Sequence, residues 1–532
     1  MKNFYKLAIL ITMLALGPTA SAAWNSNLSQ NLLISEKGMP NQSYTLCAAT
    51  PQGDMWVSWL SWEGMNAYLK LQLLDKDGNT LLEEGGIYVS KHPTPTWSSG
   101  YDLKSTADGD AVIIYCDKRN GQWHAYLYRV GKDGEMKWGK NGVAIVEADS
   151  KETCLDPKLC VTKSGNILAG FGSMLTGADM TKIYKFNPDG TPAWGSYISI
   201  PETNATFTYN ITATGDDSAF VSYFTAGGEY EMMKYTANGE PAWENVVKID
   251  DSGLVSVTTE PSVAVDNNDG ILFGWNNKSG QFSTSGFAQH FDKNGKKLWQ
   301  DNLEVAEAPQ VAITPAGDCY IAYRINIQQN VALSRITADG KEQWTATMLA
   351  NDTYKASVYG TIPCAEGMMV IYRNASDYDE AVIEYSVVGE NGVTSAMNVT
   401  VSDAPGDKGK GDIAVTENQV LVVWEDNASN NSGGCIYAQN IAFKSASIDA
   451  VISQAGKVSI TGVGNCLTCT SDTPFDGASL TVTALDGTTR LTCKLNDGDT
   501  TATVPVENIG SGIYAVTIIT SSGTHTEKIM LK

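Results

Sequence analysis

Histidine is scarce in this chain, with four residues among 532, at positions 92, 124, 290 and 525. None has the spacing of a metal-ligand pair, and the sequence contains no GxSxG, HExxH or phosphate-loop motif. Basic residues are also few, since 37 Lys and Arg stand against 59 Asp and Glu, for a formal net charge of −22. A chain of this charge repels phosphate backbones, so nucleic acid is not an expected partner.

Long apolar runs are missing too, apart from one near the N-terminus. Lys2 and Lys6 precede an apolar run over residues 7–16, and Ala20-Ser21-Ala22 follows it. This order is typical of a secretory signal peptide, which we expect to span residues 1–22. A membrane span needs about 20 apolar residues. We therefore expect no transmembrane segment in the mature chain, and export to the cell surface or extracellular space.

Ten cysteines lie in a chain predicted to be exported, a setting in which disulfides are allowed. Three of them fall at similar places in the repeat described below, which favours buried, unpaired thiols. The alternatives are bridges joining Cys154 to Cys160 and Cys466 to Cys493.

The chain does contain a repeat of about 50 residues, a period typical of solenoids and propellers. An apolar run ending in an aromatic residue occurs eight times, at steps of 48 to 56 residues. These aromatic residues are Trp59, Tyr115, Phe171, Tyr223, Trp275, Tyr323, Tyr372 and Trp424. Each run stands between a short strand pattern with a tight turn and a third strand pattern. A DG or NG turn then leads to a fourth strand pattern, which usually carries a Trp, and no helical period is present.

Four short antiparallel strands per repeat predict an all-β fold, an eight-bladed β-propeller over residues 23–445, with seven blades as the alternative. The eighth repeat lacks a fourth strand, whereas Trp24 and the following NLLIS look like that missing strand. We therefore expect the N-terminal strand to complete the last blade. The repeated Trp is predicted to pack between neighbouring blades.

Residues 446–532 have a different pattern of alternating strands and Gly turns, which predicts a small immunoglobulin-like β-sandwich. This segment resembles the C-terminal sorting domain of cargo of the bacterial type IX secretion system. The residues that carry the resemblance are Asp486, Gly487, Arg490, Gly512, Tyr514, Lys528 and Lys532. The resemblance implies that the secretion machinery is a partner and that the protein passes through the outer membrane.

Loop lengths identify a candidate binding face. The turns between strands one and two and between strands three and four are short, so the variable connections all lie on the opposite rim, named here the variable-loop rim. Binding residues usually lie on such loops. Candidates near them are the aromatic residues Trp62, Trp97, Trp123 and Tyr378 and the charged residues Arg119, Arg324, Arg373, Glu425 and Asp426.

These residues suit a glycan or a surface or extracellular protein as ligand, so a binding module is the leading hypothesis. A polysaccharide-active enzyme with its site at the channel is the second hypothesis, and a structural surface component is the third. No cofactor or metal is expected, although the oxygen-rich turns at 75–79 and 266–270 could hold calcium.

Overall fold

The computed structural model describes residues 24, 27–36, 41–94, 100–174, 180–200, 205–256, 260–280, 284–314, 317–325, 330–348, 356–375, 380–426, 434–443, 458–463, 466–471, 474–475, 477–484, 489–510, 512–520 and 523–531. Every regular element in these ranges is a β-strand. A search of the same ranges for a helix able to cross a membrane finds none. The chain divides into two compact units, Met1–Phe443 and Lys444–Lys532.

In the described part of the first unit, the strands form eight antiparallel sheets of four strands each. Strand β1 is Leu32–Leu33. Sheets 1 to 4 contain β2–β5 (Gln42–Ala49, Met55–Glu63, Asn66–Leu74, Ile87–Tyr88), β6–β9 (Tyr101–Ser105, Ala111–Asp117, His124–Val130, Val143–Ala144), β10–β13 (Thr153–Val161, Ile167–Met174, Met180–Phe186, Ile198–Ser199) and β14–β17 (Ala205–Ala213, Ala219–Thr225, Tyr230–Tyr235, Val247–Asp250).

Sheets 5 to 8 continue the same order. They contain β18–β21 (Ser262–Val265, Ile271–Lys278, Thr284–Phe291, Leu303–Val305), β22–β25 (Glu307–Ile313, Cys319–Ile325, Asn330–Ile336, Glu342–Met348), β26–β29 (Ser357–Cys364, Gly367–Ala375, Ala381–Val388, Thr394–Ser402) and β30–β32 (Gly411–Val415, Gln419–Asp426, Cys435–Ala442), with β1 as the fourth strand of sheet 8. Leu32 of β1 pairs with Ala438 of β32.

The sheets are arranged in a closed cycle. Each sheet shares an apolar cluster with the sheet before it and another with the sheet after it, and the cycle closes between sheets 8 and 1. In the closing cluster, Trp59 of β3 and Ile34 pack with Leu421 of β31. A ring of small sheets buries both faces of each sheet and leaves only short edges. The predicted β-propeller fold is confirmed, whereas the number of blades stays a prediction.

The repeated Trp residues pack on the hairpin turn of the next sheet. A Cβ added at Gly340 would lie 2.7 Å from Cγ of Trp299, and one added at Gly190 would lie 3.0 Å from Cδ1 of Trp138. The same contact joins Gly78 to Trp24 at 2.8 Å. The glycines have φ near +80°, which only glycine adopts readily. The DG or NG turn and the Trp therefore recur together because each turn accommodates the Trp of the preceding sheet.

The second unit contains two sheets around one core. Strands β33 (Val458–Val463), β34 (Cys466–Ser471) and β37 (Thr501–Pro505) form one sheet, and β35 (Ser479–Ala484), β36 (Thr489–Lys494), β38 (Gly512–Thr520) and β39 (Gly523–Leu531) form the other. Leu467, Leu480 and Val516 are fully buried together in the core between them. Two antiparallel sheets that share a core form a β-sandwich.

Candidate ligand site at the mouth of the channel

The first strand of each sheet lines the central channel of a propeller, and strand register shows which of its residues are equivalent. The residue that pairs with the position just before the repeated aromatic is Lys158 in sheet 3, Ser262 in sheet 5 and Asp412 in sheet 8. Two positions earlier stand Asp156, Glu260 and Lys410. These positions lie at the start of the first strand, and therefore near the variable-loop rim.

Several first strands carry a β-bulge at this level. The register shifts between Leu155 and Lys158 in sheet 3, and Asp156 within the bulge has a φ of +45°. Tyr44 occupies the corresponding place in sheet 1, with a φ of +56°. Left-handed backbone at a residue other than glycine costs about 1–3 kcal/mol and is concentrated at functional sites. The bulges direct these side chains differently from those of a regular strand.

Two residues further along the first strand, the polar side chains of sheets 2, 5 and 8 have a structural role. Asp102 Oδ2 accepts a hydrogen bond from the Leu159 N–H of the next sheet at 3.0 Å. Asp412 Oδ2 accepts one from Cys47 N at 2.8 Å, and Ser262 Oγ accepts one from Val311 N at 3.0 Å. We call this contact the inner-strand latch. It satisfies a backbone donor at the border between two sheets.

The latch is found in sheets 2, 5 and 8, whereas sheets 1 and 7 have Leu46 and Gly360 at that position. Sheet 3 also lacks the latch. At the equivalent position it carries Lys158, whose Nζ lies 2.9 Å from Glu260 Oε1. Sheets 3 and 5 are not neighbours, so this ion pair reaches past sheet 4. The attraction of Lys158 is the main cause that lowers the pKa of Glu260 to about 2, and Lys410 and Lys104 act in the same direction. Glu260 therefore stays ionised at any physiological pH.

Asp156 is the carboxylate with the fewest partners in this group. It accepts no hydrogen bond from any residue that the structure describes, although Lys158 is two positions away on the same strand. Burial is the main cause that raises its pKa to about 6, Lys158 opposes this rise, and Glu260 adds to it. A carboxyl group that is half-buried and lacks hydrogen-bond donors favours its protonated form. Such perturbed groups are concentrated at functional sites.

Three more side chains complete the group, which we call the channel-mouth cluster: Tyr44, Lys104, Asp156, Lys158, Glu260 and Lys410. Lys410 Nζ lies 5.2 Å from the centre of the Tyr44 ring. Lys104 Nζ lies 2.6 Å from Asp102 Oδ1. The cluster places ammonium groups, carboxylates and a phenol from sheets 1, 2, 3, 5 and 8 around one opening.

Glu425, a residue predicted to bind ligand, lies beside this cluster as a support. It is near the end of β31, and its Oε1 accepts a hydrogen bond from Tyr44 N. Its backbone N–H donates to the Lys410 carbonyl at 3.1 Å. Burial raises the pKa of the Glu425 carboxyl. The residue thus holds the backbone of both Tyr44 and Lys410 in place.

The predicted arginines direct their donors into the protein. Arg119 Nε and Nη2 bind the carboxylate of Asp117 at 2.9 and 2.6 Å, and its guanidinium lies 3.6 Å from the centre of the Tyr126 ring. Arg324 pairs with Glu307 in the same sheet. These contacts explain the positions of both residues without a ligand.

Arg373 is 7% exposed, and its Nε donates to the carbonyls of Asp407 and Lys408 at 3.0 and 2.8 Å. Asp426, also predicted to bind ligand, is 2% exposed and accepts a hydrogen bond from Trp424 Nε1 at 3.2 Å. Both residues stabilise the segment before β30. We therefore leave them outside the channel-mouth cluster.

The aromatic residues predicted to bind ligand lie in different environments. Trp62 was expected on a loop, and this is wrong, because it lies within β3, is partly buried and donates from Nε1 to Ser43 Oγ at 2.7 Å. Trp123 is partly buried beneath Lys118, whose Nζ lies 4.7 Å from its ring centre. Trp97 and Tyr378 lie outside the described residues.

Among the residues that carry the sorting-domain resemblance, Tyr514 is buried and donates from its hydroxyl to the Gly510 carbonyl at 2.8 Å. Gly512 begins β38, and Arg490 lies exposed on β36. Lys528 lies on β39. Asp486, Gly487 and Lys532 lie outside the described residues.

One buried group has the connectivity of a nucleophile triad. His290 Nε2 lies 2.9 Å from Asp266 Oδ2, and Cys319 Sγ lies 3.7 Å from His290 Nδ1. Cys319 is 0% and His290 5% exposed, so no substrate reaches the sulfur. Burial raises the pKa of the Cys319 thiol to about 12, which keeps it protonated and unreactive. We assign these side chains to packing.

Other expected sites can be placed as well. Asp75 Oδ1, in the first oxygen-rich turn, accepts hydrogen bonds from the backbone N–H groups of Asp77 and Asn79 at 2.9 and 2.8 Å. Across the described residues, no group of three or more His, Cys, Asp or Glu side chains is arranged to hold a metal ion, and no disulfide is formed. A cavity of about 490 Å³ lies where Trp194 packs on the turn at Gly239, and no residue of the channel-mouth cluster lines it.

No protein-family model matches the sequence, and no curated protein sequence matches it. Similar solved structures include the polysaccharide lyase Uly1, at 10% identity and a TM-score of 0.42, covering 80% of this chain and 99% of that chain. The Dos1 propeller is similar at 10% identity and a TM-score of 0.47, covering 80% and 97%. Sqt1 from Chaetomium thermophilum, bound to the N-terminus of ribosomal protein L10, is similar at 10% identity and a TM-score of 0.45, covering 77% and 100%. Similarity at this level says nothing about ligand or activity.

The sequence contains a sign of this cluster that loop lengths do not reveal. Asp156 and Glu260 each precede a proline at the same point of the repeat, in DPKLCV and EPSVAV, and Ala308 does so in APQVAI. Proline disfavours right-handed helical backbone at the residue before it, so these dipeptides are typical of strand starts. Comparing the repeats with one another at this point would have identified two carboxylates where a third repeat has alanine.

Proposed function

We propose that this protein is an exported binding protein of the cell surface or extracellular space, and that its propeller holds a glycan at the mouth of the channel. The observation that carries the proposal is the channel-mouth cluster. Its ammonium groups, carboxylates and phenol come from five sheets, and Asp156 has no hydrogen-bond partner among the described residues. Hydroxyl groups of a sugar both donate and accept hydrogen bonds, so they are suited to such a mixed lining.

A protein ligand fits this opening less well. Protein hot spots are usually aromatic and fully desolvated at their centre. In the channel-mouth cluster the aromatic residue is Tyr44, and it is surrounded by charge. Glu260 keeps 69% of its side chain exposed, so the opening is wet.

The test is ligand binding by the full mature chain. Laminarin, xylan, polygalacturonate and dextran would be titrated by calorimetry, and the shift in unfolding temperature would be measured in parallel, because a ligand that binds the native state stabilises it. Binding of at least one probe is expected, with at least a tenfold weaker Kd for Lys158→Met and for Glu260→Gln. One hydrogen-bonded charge contact contributes about 1.5–3 kcal/mol, which corresponds to this loss.

The matched control is Lys248→Met. Lys248 forms an ion pair of 2.8 Å with Glu229, close to the 2.9 Å of the channel pair, but on an outer strand. Its Kd should stay that of the wild type. If none of the four probes binds, or if Lys248→Met weakens binding as much as Lys158→Met, the glycan site at the channel mouth is rejected.

The export part of the proposal is supported by the N-terminal pattern and by the sorting-domain resemblance of residues 446–532. A reporter protein fused to these residues would be expressed with a signal peptide in a bacterium that has a type IX secretion system. The reporter is expected at the cell surface or in the medium. Retention in the periplasm would reject the sorting role and leave the binding proposal standing.

A further inference from the structure

We propose that Asp156 and Glu260 are the acid and the base of a glycoside hydrolase, acting on the glycan held at the channel mouth. This inference rests on the proposed function and adds a reaction to it. Two carboxyl groups that flank a glycosidic bond are the usual machinery for its hydrolysis.

Asp156 and Glu260 occupy the same position of the repeat, at the start of the first strand in sheets 3 and 5. Sheet 4 lies between those sheets, so the carboxyl groups enter the channel from two separated directions. At the same place sheet 6 has Ala308 and sheet 2 has Gly100. The channel mouth therefore contains two carboxylates from separated sheets, and Lys158 of sheet 3 reaches Glu260 at 2.9 Å.

The inner-strand latch separates these carboxylates from the structural ones. Asp102 and Asp412 each accept a backbone hydrogen bond from the next sheet. Asp156 accepts no hydrogen bond from the described residues, and the hydrogen bond of Glu260 comes from Lys158 at 2.9 Å. Neither carboxylate therefore accepts a backbone hydrogen bond across the border between two neighbouring sheets.

The backbone fixes the direction of Asp156 although its side chain has no hydrogen-bond donor. Its φ of +45° places it in the bulge, and Pro157 follows it. A Cβ added at Gly100 would lie 3.9 Å from Asp156 Oδ1. This is an ordinary contact distance, so Gly100 and Asp156 lie against each other at the border between sheets 2 and 3. Tyr44 and Ala308 have the same left-handed backbone at the equivalent position, so the carboxyl group itself is what distinguishes Asp156.

The environments of the two carboxyl groups assign their roles. Burial is the main cause that raises the pKa of Asp156 to about 6, so a large fraction carries a proton in mildly acidic solution. Lys158 is the main cause that lowers the pKa of Glu260 to about 2, so this residue stays an anion. Titratable pairs whose pKa values are pushed apart in this way divide into an acid and a base.

In the reaction, Asp156 donates its proton to the glycosidic oxygen, and the bond between that oxygen and the anomeric carbon breaks. The oxygen of one water molecule bonds to the anomeric carbon, and Glu260 accepts the proton that this water loses. One water is consumed and one new reducing end forms, and proton exchange with solvent restores both carboxyl groups. Because the two carboxyl groups come from sheets that are not adjacent, the proposal takes the wider, inverting arrangement, in which a water molecule stands between Glu260 and the anomeric carbon.

The experiment measures reducing ends released by the full mature chain from the same four polysaccharides. Wild type is expected to hydrolyse the probe that it binds. Asp156→Asn and Glu260→Gln should lower kcat by about 10²- to 10⁴-fold, the usual contribution of a general acid or base. Glu229→Gln removes a partly buried carboxylate in the turn between β15 and β16, where it pairs with Lys248 outside the channel-mouth cluster, and should leave kcat unchanged. For Asp156→Asn, calorimetry should give a Kd within about threefold of the wild-type value.

The pH profile distinguishes an acid from a residue that only shapes the site. The groups that face Asp156 are Lys158, Glu260, Tyr44 and Cys116. As pH rises through about 6, Asp156 loses its proton, so wild-type kcat/KM should fall above that pH. The residual activity of Asp156→Asn should lack this fall, and nuclear magnetic resonance should show the inverted anomer first.

The outcomes are separable. If a probe binds but releases no reducing ends between about pH 4 and pH 8, the hydrolysis proposal is rejected and the glycan site stands. If hydrolysis occurs and Asp156→Asn keeps full kcat, the assignment of the acid is rejected. A retained anomer would reject Glu260 as the base towards water. If no probe binds, the glycan site and the hydrolysis fail together.

Discussion

Replacing Gly340 with alanine should destabilise the propeller through a clash between two sheets. The new Cβ would lie 2.7 Å from Cγ and 2.8 Å from Cβ of Trp299. These atoms belong to the stem of a side chain that is 2% exposed, so they have little room to move. Gly340 also has a φ of +83°, which an alanine adopts with strain.

The cost has two parts. Left-handed backbone at a residue with a Cβ costs about 1–2 kcal/mol. Overpacking a filled site costs about a further 1–3 kcal/mol. Gly340→Ala should therefore lower the free energy of unfolding by about 2–5 kcal/mol.

Gly53→Ala is the matched control. Gly53 has a φ of +91°, in a turn of the same kind, and a Cβ there meets nothing within 4 Å. It should lose only the backbone part, about 1–2 kcal/mol. Urea titration followed by tryptophan fluorescence would measure both variants, each with an unchanged m-value.

Two results would refute the reasoning. Equal losses for Gly340→Ala and Gly53→Ala would mean that Trp299 does not press on the turn. In a Trp299→Gly background both contacting atoms, Cβ and Cγ, are absent, so Gly340→Ala should then cost no more than the control. A full loss in that background would show that its cause is the backbone and not the Trp, since a double-mutant cycle isolates the contact.

Three other predictions follow from the fold. Deleting residues 24–36 removes β1 and should lower the unfolding temperature and broaden the transition, and unchanged calorimetric unfolding would contradict the closure of the ring by the N-terminal strand. Arg373→Met should destabilise by about 3 kcal/mol, because buried polar partners lose their donor, yet leave the Kd for a bound polysaccharide unchanged; weaker binding at equal folding would restore Arg373 as a ligand residue. Burial lowers the pKa of His290 from 6.5, so the fold is stabilised above that pH, where the imidazole is neutral, and this stability is lost as pH falls below it. His290→Gln should therefore make the free energy of unfolding in urea depend less on pH in this window. An unchanged dependence on pH would show that His290 is not its cause.

Most of the fold could be predicted from the sequence because each repeat carries several independent signals of the same four-stranded sheet. The step between aromatic residues such as Trp275 and Tyr323 sets the length of a sheet. The DG or NG turn and the following Trp mark the third and fourth strands. The missing fourth strand of the last repeat pointed to residues 24–36. Local turn chemistry and burial agree at each of these places, which is when sequence specifies structure best.

The site was harder to predict because the type of a residue does not show which groups its side chain forms hydrogen bonds with. Arg373 follows a repeated aromatic residue and was predicted near the loops of the variable-loop rim, but its Nε donates to carbonyls of a neighbouring segment. Lys158 and Glu260 are 102 residues apart in the chain. They meet only because a ring brings together sheets that are not adjacent. No local sequence pattern predicts a contact between two residues so far apart in the chain.

A repeat protein nevertheless offers an internal comparison that separates structure from function. A side chain that does the same work in several sheets belongs to the scaffold, as the inner-strand latch of Asp102, Ser262 and Asp412 does. The latch is not universal, since Leu46 and Gly360 stand at this point in sheets 1 and 7. Lys158 stands there in sheet 3 and pairs with Glu260 of a sheet that is not its neighbour. This ion pair, which the equivalent residues of the other sheets do not repeat, is the reason for proposing the channel mouth as the ligand site.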